Sequence, residues 1–124
     1  MTKQAFAFLA RLAFAMMPAF AVAQDAAEPG AAAVLRGLDK VNGQSQDLEI
    51  RVGGSAELFG LLVTLSECRY PAANPTGDAF AYLTIRDPND GEQFFEGWMI
   101  ASSPALNALD HARYDVWVIR CNKS

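Results

Sequence analysis

The chain contains 124 residues, of which 52% are hydrophobic and 19% are charged, with a single histidine and two cysteines. This length fits one domain, because domains typically contain about 100–150 residues. Ten basic and 14 acidic residues give a formal net charge of −4, which is the wrong sign for nonspecific binding to nucleic acid. The counts also exclude a metal site built from several histidines or cysteines, and we expect no metal and no cofactor.

The first 23 residues have the pattern of a secretory signal peptide. Lys3 supplies a positive start, residues 5–21 are apolar apart from Arg11, and Ala-Val-Ala at residues 21–23 has the small side chains that signal peptidase accepts. We therefore predict cleavage after Ala23 and export to the periplasm. The uninterrupted apolar core is shorter than the roughly 20 residues of a membrane span. The alternative is an uncleaved segment that anchors the protein.

Removal of this segment leaves 8 basic and 14 acidic residues, a net charge of −6. We therefore expect an acidic, soluble mature protein without a membrane span. Residues 24–33 consist mainly of Ala, Asp, Glu, Pro and Gly, without apolar periodicity beyond alanine. This composition predicts a flexible linker, which leaves residues 34–124 as a single β domain.

The first half of this domain has the pattern of β-strands. Residues 34–41 form the first predicted strand, and Asn42-Gly43 is a dipeptide favoured in type I′ turns. In the second strand apolar residues alternate with charged ones up to Val52, as in a strand with one buried face. Residues 57–67 are apolar on both faces, which predicts one long covered strand.

The second half continues with a loop over residues 69–77, strands at 80–86 and 94–100, and a final strand at 114–121. Between the last two strands, Ser103 and Pro104 have the pattern of a helix N-cap and first helical residue, which predicts a short helix over residues 104–110. About six short strands at hairpin spacing predict an all-β fold, a small antiparallel barrel or sandwich.

Both cysteines, Cys68 and Cys121, lie in the predicted mature chain. An even number of cysteines in an exported protein indicates a disulfide, and only one pairing is available. A redox-active dithiol is the alternative, but such sites usually have Cys-x-x-Cys spacing, which this sequence lacks. We therefore predict a structural Cys68–Cys121 disulfide.

Serine, histidine and aspartate near the predicted helix are residue types of an acyl-transfer triad. A hydrolase could use Ser102 or Ser103 with His111, but no Gly-x-Ser-x-Gly motif is present. Ser103 already has a structural interpretation as the helix N-cap. His111 at the C-terminal end of the helix would be favoured there by the helix dipole. We therefore assign no catalytic residues.

The aromatic run at residues 94–100 offers a candidate binding surface. Alternation along a strand places Phe94 and Trp98 on one face, with Phe95 and Met99 on the other. In so small a domain one of these faces can lack a cover and bind a partner. The alternative is that both faces are covered. The predicted partner patch comprises Phe94, Phe95, Trp98 and Met99.

Residues 95–111 and 114–121, together with the segments 38–41 and 59–68, resemble an alphaproteobacterial family of small exported proteins catalogued as a domain of unknown function. The resemblance covers about residues 36–121. It implies an exported, cysteine-paired protein, and no established activity or catalytic residue comes with it. Genes of this family often lie near those for an envelope phospholipid-shuttling protein and an accessory subunit of respiratory complex I, which implies an envelope partner.

Two functions of different class follow. The first is a non-enzymatic periplasmic binding or assembly module, an accessory component of an envelope or inner-membrane complex. Phospholipid transport and respiratory complex I supply the candidate partners. The alternative is the small periplasmic hydrolase that uses Ser102 or Ser103 with His111.

Overall fold

The computed structural model describes residues 26–124. The predicted signal segment, residues 1–23, lies outside the described residues. Within them the chain forms eight strands, two more than predicted: β1 (Ala27–Pro29), β2 (Ala32–Asp39), β3 (Ser45–Arg51), β4 (Ser55–Leu58), β5 (Leu61–Pro71), β6 (Phe80–Arg86), β7 (Gln93–Ile100) and β8 (Tyr114–Asn122). None of these residues belongs to a helix with the length and apolar character that crossing a membrane requires.

The strands form two antiparallel sheets. In the five-stranded sheet the order is β1-β5-β6-β7, with β4 also paired to β5, and the three-stranded sheet has the order β3-β2-β8. The all-β antiparallel class is therefore confirmed. Neither sheet closes into a barrel over residues 26–124, so the two-sheet architecture corresponds to the sandwich alternative.

Both sheets contribute to one hydrophobic core, whose largest fully buried side chains are Leu35, Leu58, Leu61, Leu65, Leu83, Ile85, Val63, Val116 and Val118. The sheets approach closely where β2 passes β4. A Cβ atom on Gly37 would lie 2.7 Å from the Leu58 side chain, which is fully buried. Only glycine fits this position without displacing that leucine.

The predicted long strand over residues 57–67 is wrong, because the chain turns back on itself at Phe59-Gly60. Leu58 of β4 pairs directly with Leu61 of β5, and Phe59 has a φ of 55°. A positive φ is unusual for a bulky residue. The Phe59 ring stacks on Tyr114, with centroids 5.6 Å apart and planes parallel, and this contact holds the turn. Both leucines of the turn are apolar, so alternation alone does not show the break.

The ordered fold also begins earlier than the predicted boundary at residue 34. Ala27 and Pro29, in the predicted linker, pair with Pro71 and Arg69 of β5. Ala32 and Ala33 belong to β2 and are 3% and 0% exposed. The Pro, Gly and acidic residues of this segment predict mobility, whereas its alanines are small enough to pack in a tight interior.

The predicted helix over residues 104–110 is also wrong. This part of the chain contains turns, with a bond from the Leu106 N–H to the Ser103 carbonyl. Seven residues are too few to offset the free-energy cost of helix nucleation without extensive packing. Here only Leu109 is buried. We call residues 101–113 the strap, because this segment runs from the end of β7 to the start of β8.

The predicted disulfide between Cys68 and Cys121 is confirmed. The two Cα atoms lie 5.9 Å apart, and the residues are separated by 53 positions in the chain. Cys68 belongs to β5 and Cys121 to β8, so the bridge joins the five-stranded sheet to the three-stranded sheet. A disulfide in this position is consistent with an exported protein.

Candidate functional site

The outer surface of the five-stranded sheet carries a cluster of aromatic side chains. Strand pairing places Tyr82 opposite Trp98 and Phe80 opposite Ile100, and Arg69 pairs with Phe80 from the other side. Their neighbours Ala81, Leu83 and Ile85 point into the core and are fully buried. The cluster therefore faces away from the core. We call it the Trp98 face, defined as Arg69, Phe80, Tyr82, Trp98 and Ile100.

Trp98 stands out among the exposed apolar side chains of the described residues. The large hydrophobic side chains that are exposed there are Val41, Val52, Trp98 and Leu106. Val41, Val52 and Leu106 lie in turns, whereas Trp98 lies within β7 at 37% exposure. It lines an open groove of about 300 Å³ together with Ala27, Arg69, Phe80 and Ile100. An exposed tryptophan beside an apolar groove is typical of a binding surface.

Hydrogen bonding and ring packing hold this face in one arrangement. The Tyr82 hydroxyl donates to Glu96 Oε2 at 2.8 Å, and this bond raises the pKa of the Tyr82 phenol above its ordinary value. The Tyr82 and Trp98 rings meet edge to face, with centroids 5.4 Å apart. Because these contacts already fix both rings, a partner would not need to order them on binding.

The structure places the four predicted patch residues in three environments. Phe95 is 9% exposed and Met99 2% exposed, and both belong to the core, so they are not available to a partner. Phe94 is half-buried, and its ring packs edge to face against His111. Trp98 alone of the four is exposed.

The predicted patch missed four members of the Trp98 face, Arg69, Phe80, Tyr82 and Ile100, of which Phe80 and Tyr82 are the large aromatic residues. The available signal was the alternation in β6, where these large residues alternate with the small or aliphatic residues Ala81 and Leu83. That pattern shows that Phe80 and Tyr82 share a side of the strand. It does not place them beside Trp98, because this requires the register between β6 and β7.

The strap covers the free edge of β7. Asn107 Nδ2 donates to the Trp98 carbonyl oxygen at 2.9 Å. At the start of the strap, both the backbone N–H and the hydroxyl of Ser102 donate to the Asp78 carboxylate, at 3.0 and 2.8 Å. Occupied backbone groups on an edge strand block the addition of another strand. Access to β7 beside Trp98 therefore depends on the strap.

At the other end of the strap, His111 caps the start of β8. Its Nδ1 accepts hydrogen bonds from the backbone N–H groups of Arg113 and Tyr114, at 3.0 and 3.1 Å. The imidazole also stacks on the Tyr114 ring, with centroids 5.3 Å apart. The predicted helix-dipole role of His111 is wrong, since no helix precedes it in the described chain.

The candidate hydrolase residues are engaged in other contacts. The Ser102 hydroxyl donates to Asp78, and His111 Nδ1 accepts from backbone amides. Within residues 26–124 no hydrogen bond joins Ser102 or Ser103 to His111. The geometry therefore does not show a serine whose proton a histidine could accept.

A buried carboxylate next to the strap makes stability dependent on pH. Asp39 is 3% exposed and accepts hydrogen bonds from Arg113 Nη2 at 2.9 Å and Nε at 3.2 Å. The hydrogen bond from Arg113 holds the pKa of Asp39 below its ordinary value, and bonds from backbone N–H groups lower it further. The carboxylate thus stabilises the fold fully above its unfolded pKa of about 3.9. This contribution is lost as the pH falls through the lower, folded pKa.

We therefore expect Asp39→Asn to lower the free energy of unfolding at neutral pH and to flatten its decline below about pH 4. Urea denaturation of both proteins between neutral and strongly acidic pH measures both effects. Asp90→Asn is the matched control, because Asp90 lies in an exposed turn. Parallel pH profiles for wild type and Asp39→Asn would contradict this account of acid stability.

Comparisons with known proteins place the chain beside sequences of undetermined activity. The model of a family described as "Uncharacterized protein conserved in bacteria (DUF2155)" matches residues 33–121. The uncharacterized protein RP359 of Rickettsia prowazekii (strain Madrid E) is 23% identical over 87 residues, which cover 68% of this chain and 56% of the relative. The chain thus spans about half the length of this curated relative. No solved structure matches this chain.

Proposed function

This chain belongs to the DUF2155 family of uncharacterized proteins conserved in bacteria, which confirms the resemblance seen in its sequence. Because the family description names no activity, we propose a function from the surface that the fold presents. The protein is a non-enzymatic binding or assembly module that docks a partner protein on the Trp98 face. The observation that carries the proposal is the exposed Trp98 beside an apolar groove of about 300 Å³. The partner belongs to an envelope or inner-membrane complex, with phospholipid transport and respiratory complex I as the candidates that the resemblance suggests.

Two features of the Trp98 face support protein binding. Tryptophan is enriched among the residues that contribute most to protein interfaces, where it fills a pocket on the partner. The face also has polar groups beside its apolar centre. Arg69 Nη2 lies 3.3 Å from Glu67 Oε1, and the Tyr82 hydroxyl donates to Glu96 Oε2. An apolar centre with a polar rim is the usual composition of an interface.

The proposed compartment is the periplasm, supported by the signal-like pattern before Gln24 and by the disulfide. We expect the protein recovered from its native bacterium to begin at Gln24. Intact mass spectrometry of the purified protein measures this directly. A mass that includes Met1 would instead indicate a retained N-terminal anchor.

The proposed function is tested by replacing Trp98 in the exported protein. We expect Trp98→Ala to weaken partner association by about 30-fold or more, because truncation of such an anchor typically removes 2 kcal/mol or more of binding free energy. Association is measured by quantitative co-purification from detergent-solubilised envelope.

Trp117→Ala is the matched control, since Trp117 is a half-buried tryptophan in β8 of the other sheet. The control should retain the partner at the wild-type level. Equal recovery of the partner by wild type and Trp98→Ala, with both proteins folded, would contradict the docking of a partner on this face.

A further inference from the structure

We propose that the Trp98 face is a binding site for an arginine side chain, which stacks on the Trp98 ring and pairs with the Glu96 carboxylate. That the partner protein supplies this arginine rests on the proposed function. The preference for arginine itself rests on the rings and charges around Trp98.

Glu96 and Trp98 project from the same side of β7. Both side chains contact Tyr82: Glu96 Oε2 accepts from the Tyr82 hydroxyl at 2.8 Å, and the Trp98 and Tyr82 ring centroids lie 5.4 Å apart. Ile100 follows on this side and lines the groove with Trp98. Same-side residues of a strand are spaced about 7 Å apart. β7 thus presents a carboxylate, an indole ring and an aliphatic side chain in a row.

The charge of Glu96 has no cationic partner among residues 26–124. The ion pairs there use the carboxylates of Asp39, Asp47 and Glu67. The Tyr82 hydroxyl occupies Oε2, whereas the side-chain hydrogen bonds of the described chain include none to Oε1. An ionised carboxylate accepts hydrogen bonds at both oxygens, so Glu96 retains an acceptor for an incoming cation.

Trp98 likewise has no basic side chain over its ring in the part of the chain that the structure describes. The cation–ring contacts there are made by Arg113 and Lys123, with tyrosines of β8 and β5. A tryptophan ring attracts a cation more strongly than the other aromatic rings do. The exposed indole is therefore available to a cation from another molecule.

The charge balance favours a cationic ligand over an anionic one. Arg69 Nη2 lies 3.3 Å from Glu67 Oε1, which leaves the Glu96 carboxylate as the unbalanced charge beside Trp98. The predicted mature chain also has a net charge of −6. Complementary charge accelerates encounter and opposes the binding of like-charged segments.

Arginine fits this arrangement better than lysine does. Its planar guanidinium stacks on aromatic rings and binds a carboxylate through a fork of N–H donors. Its hydrocarbon stem packs on apolar surface while the charged head stays in water. The groove of about 300 Å³ supplies such a surface between Phe80, Trp98 and Ile100. A stem that begins there and crosses the Trp98 ring points its guanidinium towards Glu96.

The ligand binds here through its side chain and not by strand addition. On the free edge of β7 the Trp98 carbonyl oxygen already accepts from Asn107 Nδ2 at 2.9 Å. A strand added beside Trp98 would have to displace this bond. The outer surface of the sheet is open instead, and it is the side on which Glu96 and the Trp98 ring are exposed.

Peptide titration of the exported, disulfide-bonded protein, followed by NMR, tests the arginine site. The probes are an acetylated, amidated leucine-arginine-leucine peptide and the same peptide with citrulline, which has the shape of arginine without its charge. We expect the association constant of the arginine peptide to exceed that of the citrulline peptide about fivefold or more. The Trp98 Nε1–H signal reports binding, and its absence from the Trp98→Ala spectrum distinguishes it from the Trp117 signal.

Glu96→Gln removes the charge but keeps a side-chain oxygen that accepts from the Tyr82 hydroxyl. This variant should lower the association constant of the arginine peptide about threefold or more and leave that of the citrulline peptide unchanged. Glu92→Gln is the matched control, because it makes the same change in net charge at an exposed residue just before β7. It should bind the arginine peptide as the wild type does.

Equal affinity of the wild type for the two peptides would overturn the arginine site. So would the lack of a saturable shift with the arginine peptide, or equal weakening by Glu96→Gln and Glu92→Gln. Tighter binding of a leucine-glutamate-leucine peptide would also overturn it, and would indicate recognition of an anion through Arg69.

These outcomes are separable from those of the proposed function. A preference for the arginine peptide in a protein whose Trp98→Ala variant still captures the partner supports the arginine site and overturns docking of the partner there. Equal affinity for the two peptides in a protein whose Trp98→Ala variant loses the partner overturns the arginine site and supports the docking surface.

Discussion

Simultaneous replacement of Cys68 and Cys121 by alanine should lower the free energy of unfolding by about 4 kcal/mol, because the lost bridge closes a loop of more than 50 residues in the unfolded chain. A domain of this size is typically stable by about 5–10 kcal/mol. The loss therefore removes about 40–80% of that free energy of unfolding. The position of the bridge adds to its importance, since it joins β5 and β8, which belong to different sheets.

Urea denaturation of wild type and of the double variant, with and without a reducing agent, measures this contribution. Reductant should destabilise the wild type and leave the double variant unchanged, which separates loss of the bridge from effects of the alanine side chains. Two reactive thiols in the denatured, unreduced wild type would contradict the assignment. So would equal stability of the two proteins under oxidising conditions.

The second large effect concerns two adjacent residues of β7. Met99→Ala should lower the free energy of unfolding by about 2–5 kcal/mol, because Met99 is 2% exposed and its truncation leaves a cavity in the core. Trp98→Ala should lower it by a smaller amount, since the side chain is partly exposed and its truncation loses the edge-to-face contact with Tyr82 without leaving a cavity in the core.

Paired urea denaturation curves of the two single variants test this difference. Met99→Leu is the matched control, because it conserves volume and should lower the free energy of unfolding by less than about 1.5 kcal/mol. If Trp98→Ala destabilised the fold as severely as Met99→Ala, the side chain would have to be part of the packed core. The Trp98 face would then lose its central residue as a docking surface.

Several elements of the fold could be predicted from sequence because the relevant interactions are local or have a single solution. Residues 80–86 form β6 as predicted, and the other predicted strands, apart from the one over residues 57–67, recur with shifted ends, since period-two alternation and turn dipeptides depend only on neighbouring residues. The disulfide could be predicted because two cysteines allow one pairing.

Other elements depend on contacts between residues far apart in the chain. The Phe59-Gly60 turn lies in an apolar run that alternation assigns to one strand, and the distant Tyr114 ring stacks on it. The short β1 is ordered only by pairing with β5. The strap forms turns instead of a helix, with Asn107 bound to β7 and Leu109 buried in the core.

The candidate site shows the same division. The sequence by itself determined that Trp98 and Met99 point to opposite sides of a strand, because successive side chains alternate. Only the tertiary structure decided that Met99 enters the core, that Trp98 is exposed, and that Tyr82 and Phe80 complete its face. The side of a strand that is buried depends on where the second sheet packs, and the neighbours of a residue across a sheet depend on strand register. Both are set by free energies of packing summed over the whole core, which no local segment contains.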